Sequence, residues 1–366
     1  MIRTVMPLDD VVGASARAHK PATNLPGAPG TAASVEILSW DRELVSKSGT
    51  PQWPGGRPMV VVIPGGSYQY CSPREADPVA LRFLAAGYNV AVLRYRVGAD
   101  SRYPLPLRDL AAALVVIREN AEELGTDPER IVLCGFSAGG HLAATFASTV
   151  AADWAGVGAG RGGEGAGRGE CDAAHTSGPV CSSREVDIGG GELVQTRRIV
   201  PADPSDSTTG WTAELASADR VHTQGGLAAH LGILGVILGY PVVDFHALEE
   251  YYQHSDGLES TSGRVGAMLA DYRPEADPAV LAGPHTPPTF IFTTGTDEII
   301  PAVHTMNYAR RLADYGVPVE LHVYSSGLHG LSVADATACV EEDYPARVGG
   351  WIEAALAWVS ELFSLR

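Results

Sequence analysis

Residues 135–139 read Gly-Phe-Ser-Ala-Gly, followed by Gly140, His141 and Leu142. A serine with glycine two positions before and two after has the spacing of a nucleophile elbow, provided a strand enters the turn and a helix leaves it. Both are expected here. Ile131-Val132-Leu133 supplies a buried strand, and Ala138 to Val150 is helix-forming and free of proline. So sharp a turn forces the serine into a strained conformation and pushes its hydroxyl above the sheet. Glycines at the flanking positions remove side chains that would collide as strand and helix close together. Ser137 is therefore the candidate nucleophile. The competing reading is a glycine-lined helix N-terminus in an ordinary α/β fold.

A serine hydroxyl is a poor nucleophile at neutral pH and needs a base, usually a histidine held in one tautomer by a carboxylate. In sheets of this kind the chain order is Ser, then Asp or Glu, then His. Asp297 follows a predicted strand in Thr294-Gly295-Thr296-Asp297-Glu298, and His329 follows another in Ser325-Ser326-Gly327-Leu328-His329-Gly330. Both stand just beyond a strand's carboxyl end, where short loops aim side chains toward the elbow. Asp244 also follows a strand and competes for the acid. Glu298 points away from its neighbour, His304 and His322 fall inside a predicted helix and strand, and His141 faces along the helix that the elbow begins.

Acyl transfer develops an oxyanion that backbone N–H groups must meet. The Ala138 amide, next to the nucleophile, is one candidate donor. The second is expected in Pro64-Gly65-Gly66-Ser67-Tyr68, where Gly66 and Ser67 are the favoured positions. Tyr68 and Tyr70 could line a substrate pocket. His246, Glu250 and His254 recur at helical spacing, but a charged outer face explains them better than a metal, and no metal is expected. The Gly135-x-x-x-Gly139-Gly140 run lacks the Lys-Ser/Thr of a phosphate loop and the spacing of a dinucleotide fingerprint.

The elements that must position these residues can be read from periodicity. Met59 to Ile63 is an unbroken apolar run ending at Pro64, as in a strand buried on both faces. Further strands are expected at Ser34–Trp40, Asn89–Leu93, Leu234–Val243, Thr289–Thr293 and Val319–Tyr324. Helices are expected at Pro78–Ala86, Pro106–Leu124, Pro301–Tyr315 and Ala346–Phe363. This alternation predicts an α/β fold with a mostly parallel sheet covered on both faces. Residues 1–33, rich in Pro, Ala and Gly, are expected to form a loosely held arm. Residues 34–150 and 226–366 are expected to form one domain, with a small cap over the site at about 245–288. The stretch 151–225 opens half-glycine and stays poor in large apolar residues, so a flexible low-complexity insert is expected there.

Composition narrows the partners. With 366 residues and 45% hydrophobic content, the chain can bury a substantial core. A formal charge of −17 argues against nucleic acid and anionic membrane surfaces, both of which recruit Lys and Arg. It also mildly disfavours polyanionic substrates, while neutral esters and sugars are unaffected. The opening residues carry no charged-then-apolar signal pattern, and no run reaches the ~18 apolar residues of a membrane span. Five cysteines without framework spacing favour free thiols, although Cys171 and Cys181 could pair. A cytoplasmic protein is expected.

The chain resembles the α/β-hydrolase superfamily, and within it the small bacterial acetylxylan and carbohydrate acetyl esterases, some of which also take feruloyl esters. The likeness is carried by Val62–Tyr68, by Ser72-Pro73-Arg74-Glu75 through Tyr95, and by Gly135–Leu142. Gly239-Tyr240-Pro241-Val242 and His285–Phe290 extend it. It covers roughly residues 35–150 and 228–365. Pro64 stands where the hormone-sensitive-lipase-like branch has histidine, so that branch's oxyanion loop is not carried over. The resemblance implies ester hydrolysis by a Ser137–Asp297–His329 triad through an acyl-enzyme, with no cofactor. It points to small-molecule esters, acylated oligosaccharides among them. A feruloyl or hydroxycinnamoyl esterase is the nearest alternative. An amide-cleaving relative (a peptidase or an arylformamidase) would share every motif, and a catalytically dead binding scaffold would be expected to lack a triad residue.

Overall fold

The computed structural model describes residues 1–8, 32–41, 53, 55–149, 226–254, 276–339 and 345–364. Between 150 and 225 it describes only the backbone of a two-residue ladder, Ser182–Ser183 with Arg197–Arg198. The cap stretch 255–275 and the rest of the expected insert lie outside the described residues.

Eight strands form one sheet: β1 (Ile2–Pro7), β2 (Ser34–Ser39), β3 (Arg57–Ile63), β4 (Asn89–Arg94), β5 (Thr126–Phe136), β6 (Ile233–Gly239), β7 (Thr289–Thr294) and β8 (Val319–Tyr324). Their order is β1-β2-β4-β3-β5-β6-β7-β8. The first two pairings are antiparallel and the remaining five parallel. The six helices that matter here are α1 (Asp77–Ala85), α2 (Leu105–Glu119), α3 (Ala138–Ala147), α4 (Phe245–His254), α5 (Ala302–Asp314) and α6 (Trp351–Ser364).

The apolar runs behave as two-faced strands should. Met59, Val61 and Ile63 of β3, with Ile131 and Leu133 of β5, pack toward Leu110 and Leu114 of α2, Leu142 of α3 and Leu312 of α5. Val60 and Val62, with Val132, Cys134 and Phe136, face Phe83 of α1 and Trp351, Ala355 and Val359 of α6. Alternate side chains thus feed two cores, and every one of these strand residues is buried. No helix among the described residues is long and apolar enough to cross a membrane.

Three boundaries differ from expectation for local reasons. Ile2–Pro7, assigned to the loose arm, is an edge strand paired with β2, with Thr4 and Met6 turned inward. The expected Pro106–Leu124 helix breaks at Asn120, whose side-chain amide donates to the Val116 carbonyl at 2.7 Å. That bond competes with the helical ladder, and a second short turn, Ala121–Leu124, ends at Gly125 in the left-handed region. The strand expected through Val243 stops at Gly239 because Tyr240 has a φ of 34°.

Candidate active site

The elbow is formed where the sequence placed it. β5 ends at Phe136, Ser137 has φ 50° and ψ −116°, and α3 begins at Ala138. Backbone bonds hold the strained residue on both sides: Ser137 N–H donates to Gly239 at 3.0 Å, and its carbonyl accepts from His141 N–H at 2.9 Å. The turn is tight because a Cβ on Gly139 would lie 2.1 Å from the Ile63 carbonyl oxygen and 2.4 Å from that of Pro64. Only glycine lets α3 approach the end of β3 this closely.

β7 and β8 deliver the other two predicted side chains. His329 Nε2 lies 2.9 Å from Ser137 Oγ, and His329 Nδ1 lies 2.7 Å from Asp297 Oδ2. Asp297 Oδ1 accepts the N–H groups of Ile299 and Ile300 at 2.9 and 2.8 Å, which fixes the carboxylate's orientation. A carboxylate accepts only, so Nδ1 carries the imidazole proton and Nε2 faces the serine hydroxyl as an acceptor. The two loops are tied directly: Thr294 and Thr296 hydroxyls donate to the Gly327 carbonyl at 2.8 and 3.1 Å.

The competing residues are used elsewhere. Asp244 accepts from Ala247 N–H at 3.0 Å and caps α4. Glu298 is exposed, and His322 sits on β8 2.7 Å from Glu320. His304 is buried, with a pKa lowered by that burial. His246 and Glu250 are an exposed pair on α4, and the side chain of His254 lies outside the described residues. No group of three or more potential metal ligands occurs among the described residues.

The loop after β3 lies against the elbow. A Cβ on Gly65 would come within 2.9 Å of Ser137 Cβ. Gly65 N–H is taken by Glu75 at 2.8 Å, so this amide does not face the nucleophile's substrate side. Gly66 follows at φ 122°, then Ser67 and Tyr68 at 54° and 58°. Ala138 N–H, in the first turn of α3, has no helical acceptor. Gly66 and Ser67 thus follow the residue that touches Ser137, and Ala138 follows Ser137 itself at the start of α3. Tyr68 packs on the apolar cluster that includes Ala138, with its hydroxyl engaged by His141 Nδ1 at 2.6 Å, while Tyr70 is exposed.

Residues 50–154 match the family model described as BD-FAE. Among solved structures, the carboxylesterase Cest-2923 from Lactobacillus plantarum superimposes with a TM-score of 0.61 at 24% identity, over 90% of this chain and 93% of that one. The chain has the α/β-hydrolase fold. Endo-1,4-beta-xylanase B of Butyrivibrio fibrisolvens is 25% identical over 284 residues, 76% of this chain and 33% of the relative. An acetylxylan esterase from Xylanibacter ruminicola is 30% identical over 99 residues, 27% of this chain and 20% of the relative. The chain therefore spans a third or less of the length of these curated relatives.

The Ser137 site has supports that sequence reasoning left without a role. His141 is buried, and burial lowers its pKa to about 4 against the opposing pull of the Ala276 carbonyl. That carbonyl, 2.6 Å from Nε2, can only accept, so Nε2 carries the proton and Nδ1 accepts from Tyr68. Glu75 is buried as well, bonded to Gly65 and to the Tyr240 hydroxyl. The only signal for Glu75 and Tyr240 was their presence in two of the phrases that carry the resemblance.

Proposed function

We propose that the chain is a serine carboxylic-ester hydrolase that works through an acyl-enzyme and removes acetyl or other small acyl groups from carbohydrate esters. The observation that carries this reading is the continuous relay from Ser137 Oγ through His329 to Asp297, at 2.9 and 2.7 Å, mounted on a strained elbow. In this mechanism His329 Nε2 takes the Ser137 proton as Oγ bonds to the ester carbonyl carbon. The carbonyl oxygen becomes an oxyanion and rests on the N–H groups of Ala138 and of Gly66 or Ser67. His329 then gives its proton to the departing alkoxide, and the C–O bond to the alcohol breaks. A water, deprotonated by His329, attacks the acyl carbon, and Ser137 leaves with the proton restored.

A carbohydrate ester is favoured by the relatives, one called a xylanase and one an acetylxylan esterase. A small acyl group is favoured by the wall beside the nucleophile. Ala138, Val242, Phe245, Leu248 and Ile300 form a buried apolar cluster there, with Tyr68, Tyr252 and Ile299 packed on it. So filled a wall suits a methyl group better than a long chain. Residues 34–150 and 226–366 would form the hydrolase domain, with 245–288 as its cap and 151–225 inserted after α3.

The test compares acetate release from acetylated xylo-oligosaccharide with ferulate release from methyl ferulate, using Ser137→Ala as control. Acetate release that is lost in the variant is the expected outcome. Preferential ferulate release would reassign the acyl group, and full activity in Ser137→Ala would overturn the mechanism.

A further inference from the structure

Glu75 lies ten residues after Gly65 of the loop that follows β3, in a short 3-10 turn, and is 3% exposed. Its two oxygens serve two different parts of the site. Oε2 accepts from Gly65 N–H, and Oε1 accepts from the Tyr240 hydroxyl, each at 2.8 Å. Tyr240 oxygen in turn accepts from Ser332 N–H at 2.9 Å, three residues after His329. The Tyr240 ring stands edge-on to the His329 ring, with centroids 4.9 Å apart. A single carboxylate therefore links the loop beside the nucleophile to the loop that bears the base.

The Gly65 N–H and the Tyr240 hydroxyl are both neutral donors, and no ion pair to Glu75 is found among the described residues. Burying a carboxylate is costly, and an apolar side chain of the same size would serve stability at least as well. What the carboxylate offers is geometry: it fixes the Gly65 amide, immediately before Gly66 and Ser67, whose φ values of 122° and 54° set the loop beside the nucleophile. Resting on the hydrolase reading above, we propose that Glu75 is a positioning residue for acyl transfer. It sets the oxyanion loop and, through Tyr240, braces the imidazole of His329.

Glutamine cannot replace it. Its one oxygen can accept from Gly65 or from Tyr240; its NH₂ then either meets the Gly65 N–H or donates to the Tyr240 oxygen and leaves that hydroxyl's proton without an acceptor. Oxyanion donors act on the transition state rather than the bound ester, so the loss should fall on kcat and spare KM. A loop misplaced by about 1 Å costs on the order of 100-fold.

The experiment measures p-nitrophenyl acetate hydrolysis, inhibition by 1,1,1-trifluoroacetone and thermal unfolding for wild type, Glu75→Gln, Tyr240→Phe and the double variant. The ketone's adduct with Ser137 mimics the tetrahedral intermediate. For Glu75→Gln we expect kcat to fall about 10- to 100-fold with KM within about threefold, and ketone affinity to fall in step with kcat. Tyr240→Phe keeps the Gly65 bond and should lose less, and the double variant should lose no more than Glu75→Gln. Wild-type kcat in Glu75→Gln, unchanged ketone affinity, or additive losses would each overturn the proposal. If Glu75→Gln does not fold, Tyr240→Phe decides: lowered kcat at constant KM supports the strut, and wild-type kcat refutes it. Labelling of wild type at Ser137 by a fluorophosphonate separates the two readings, since an unlabelled, inactive wild type would sink the hydrolase assignment itself.

Discussion

Replacing Asp297 with asparagine changes one atom and should nearly abolish turnover. The reason lies in what holds the carboxylate. Oδ1 accepts from both Ile299 and Ile300 N–H, so the asparagine oxygen must occupy that position. Turning the amide over would set NH₂ against two backbone donors, leaving them unpaired at about 1–3 kcal/mol each. With the oxygen fixed there, NH₂ faces His329 Nδ1, which must then accept. The imidazole proton moves to Nε2 and points at Ser137 Oγ, which removes the base. Recovering the productive tautomer costs roughly 2–6 kcal/mol, or between about 30-fold and 10⁴-fold in its population, at 1.4 kcal/mol per decade. Loss of the charge that stabilises the imidazolium adds to this, so we expect kcat/KM for p-nitrophenyl acetate to fall by about 10³–10⁴. The fold should be untouched, because the side chain is isosteric. Retention of activity within tenfold, with an unchanged unfolding midpoint, would show that the Asp297–His329 contact does not set the tautomer.

Two further outcomes follow from the elbow. Gly139→Ala would place a Cβ 2.1 Å from the Ile63 carbonyl oxygen, a backbone atom that cannot retreat without moving the oxyanion loop. A loss of about 3 kcal/mol in urea denaturation is expected, and a loss under about 0.5 kcal/mol would contradict the close approach. His141, at about 4 in the fold against about 6.5 unfolded, binds its proton more readily when unfolded. Stability is therefore lost as pH falls through that window, by about 2 kcal/mol between pH 7 and pH 5 for this group. His304 is shifted in the same direction and remains in His141→Gln, so the variant should flatten the pH dependence without abolishing it. Identical slopes for wild type and variant would exclude His141 as the source.

The parts of this molecule that could be read from sequence are those whose cause is local. Met59–Ile63 and Ile131–Leu133 are apolar at every position because both faces are covered. Ser137, Asp297 and His329 each follow a strand's end within a few residues, and chain order and loop length single out from several rival acids and histidines the three that the fold brings within hydrogen-bond distance. Ile2–Pro7 escaped because a six-residue edge strand next to proline- and glycine-rich sequence has too few positions to show its period; its alternation is real, with Thr4 and Met6 inward. Glu75 and Tyr240 escaped for a different reason. Their partners lie 10, 165 and 92 residues away along the chain, and nothing near either residue distinguishes a buried acid from a surface one.

Strain in the backbone is distributed in a way that ties these observations together. Among the described residues, the non-glycine positions with positive φ are Ser67, Tyr68, Ser137, Tyr240, Ser332 and Ala334. All six belong to loops after β3, β5, β6 and β8, on the carboxyl rim where the nucleophile and base sit. Each such residue costs on the order of 1–3 kcal/mol, so the rim would relax unless its surroundings held it. The side chains that hold it are the buried polar ones. His141 fixes Tyr68, while Glu75 fixes Tyr240. Tyr240 and the Arg74 carbonyl then hold Ser332 through its N–H and its hydroxyl. A purely apolar core could not do this, because dispersion has no direction and a left-handed loop needs directed bonds to stay left-handed. Apart from the Ser137 elbow, these strained positions carry no local sequence signal, because the side chains that hold them lie far away along the chain. The polar burial that looks wasteful for stability is what keeps the oxyanion loop and the base in register across four strands.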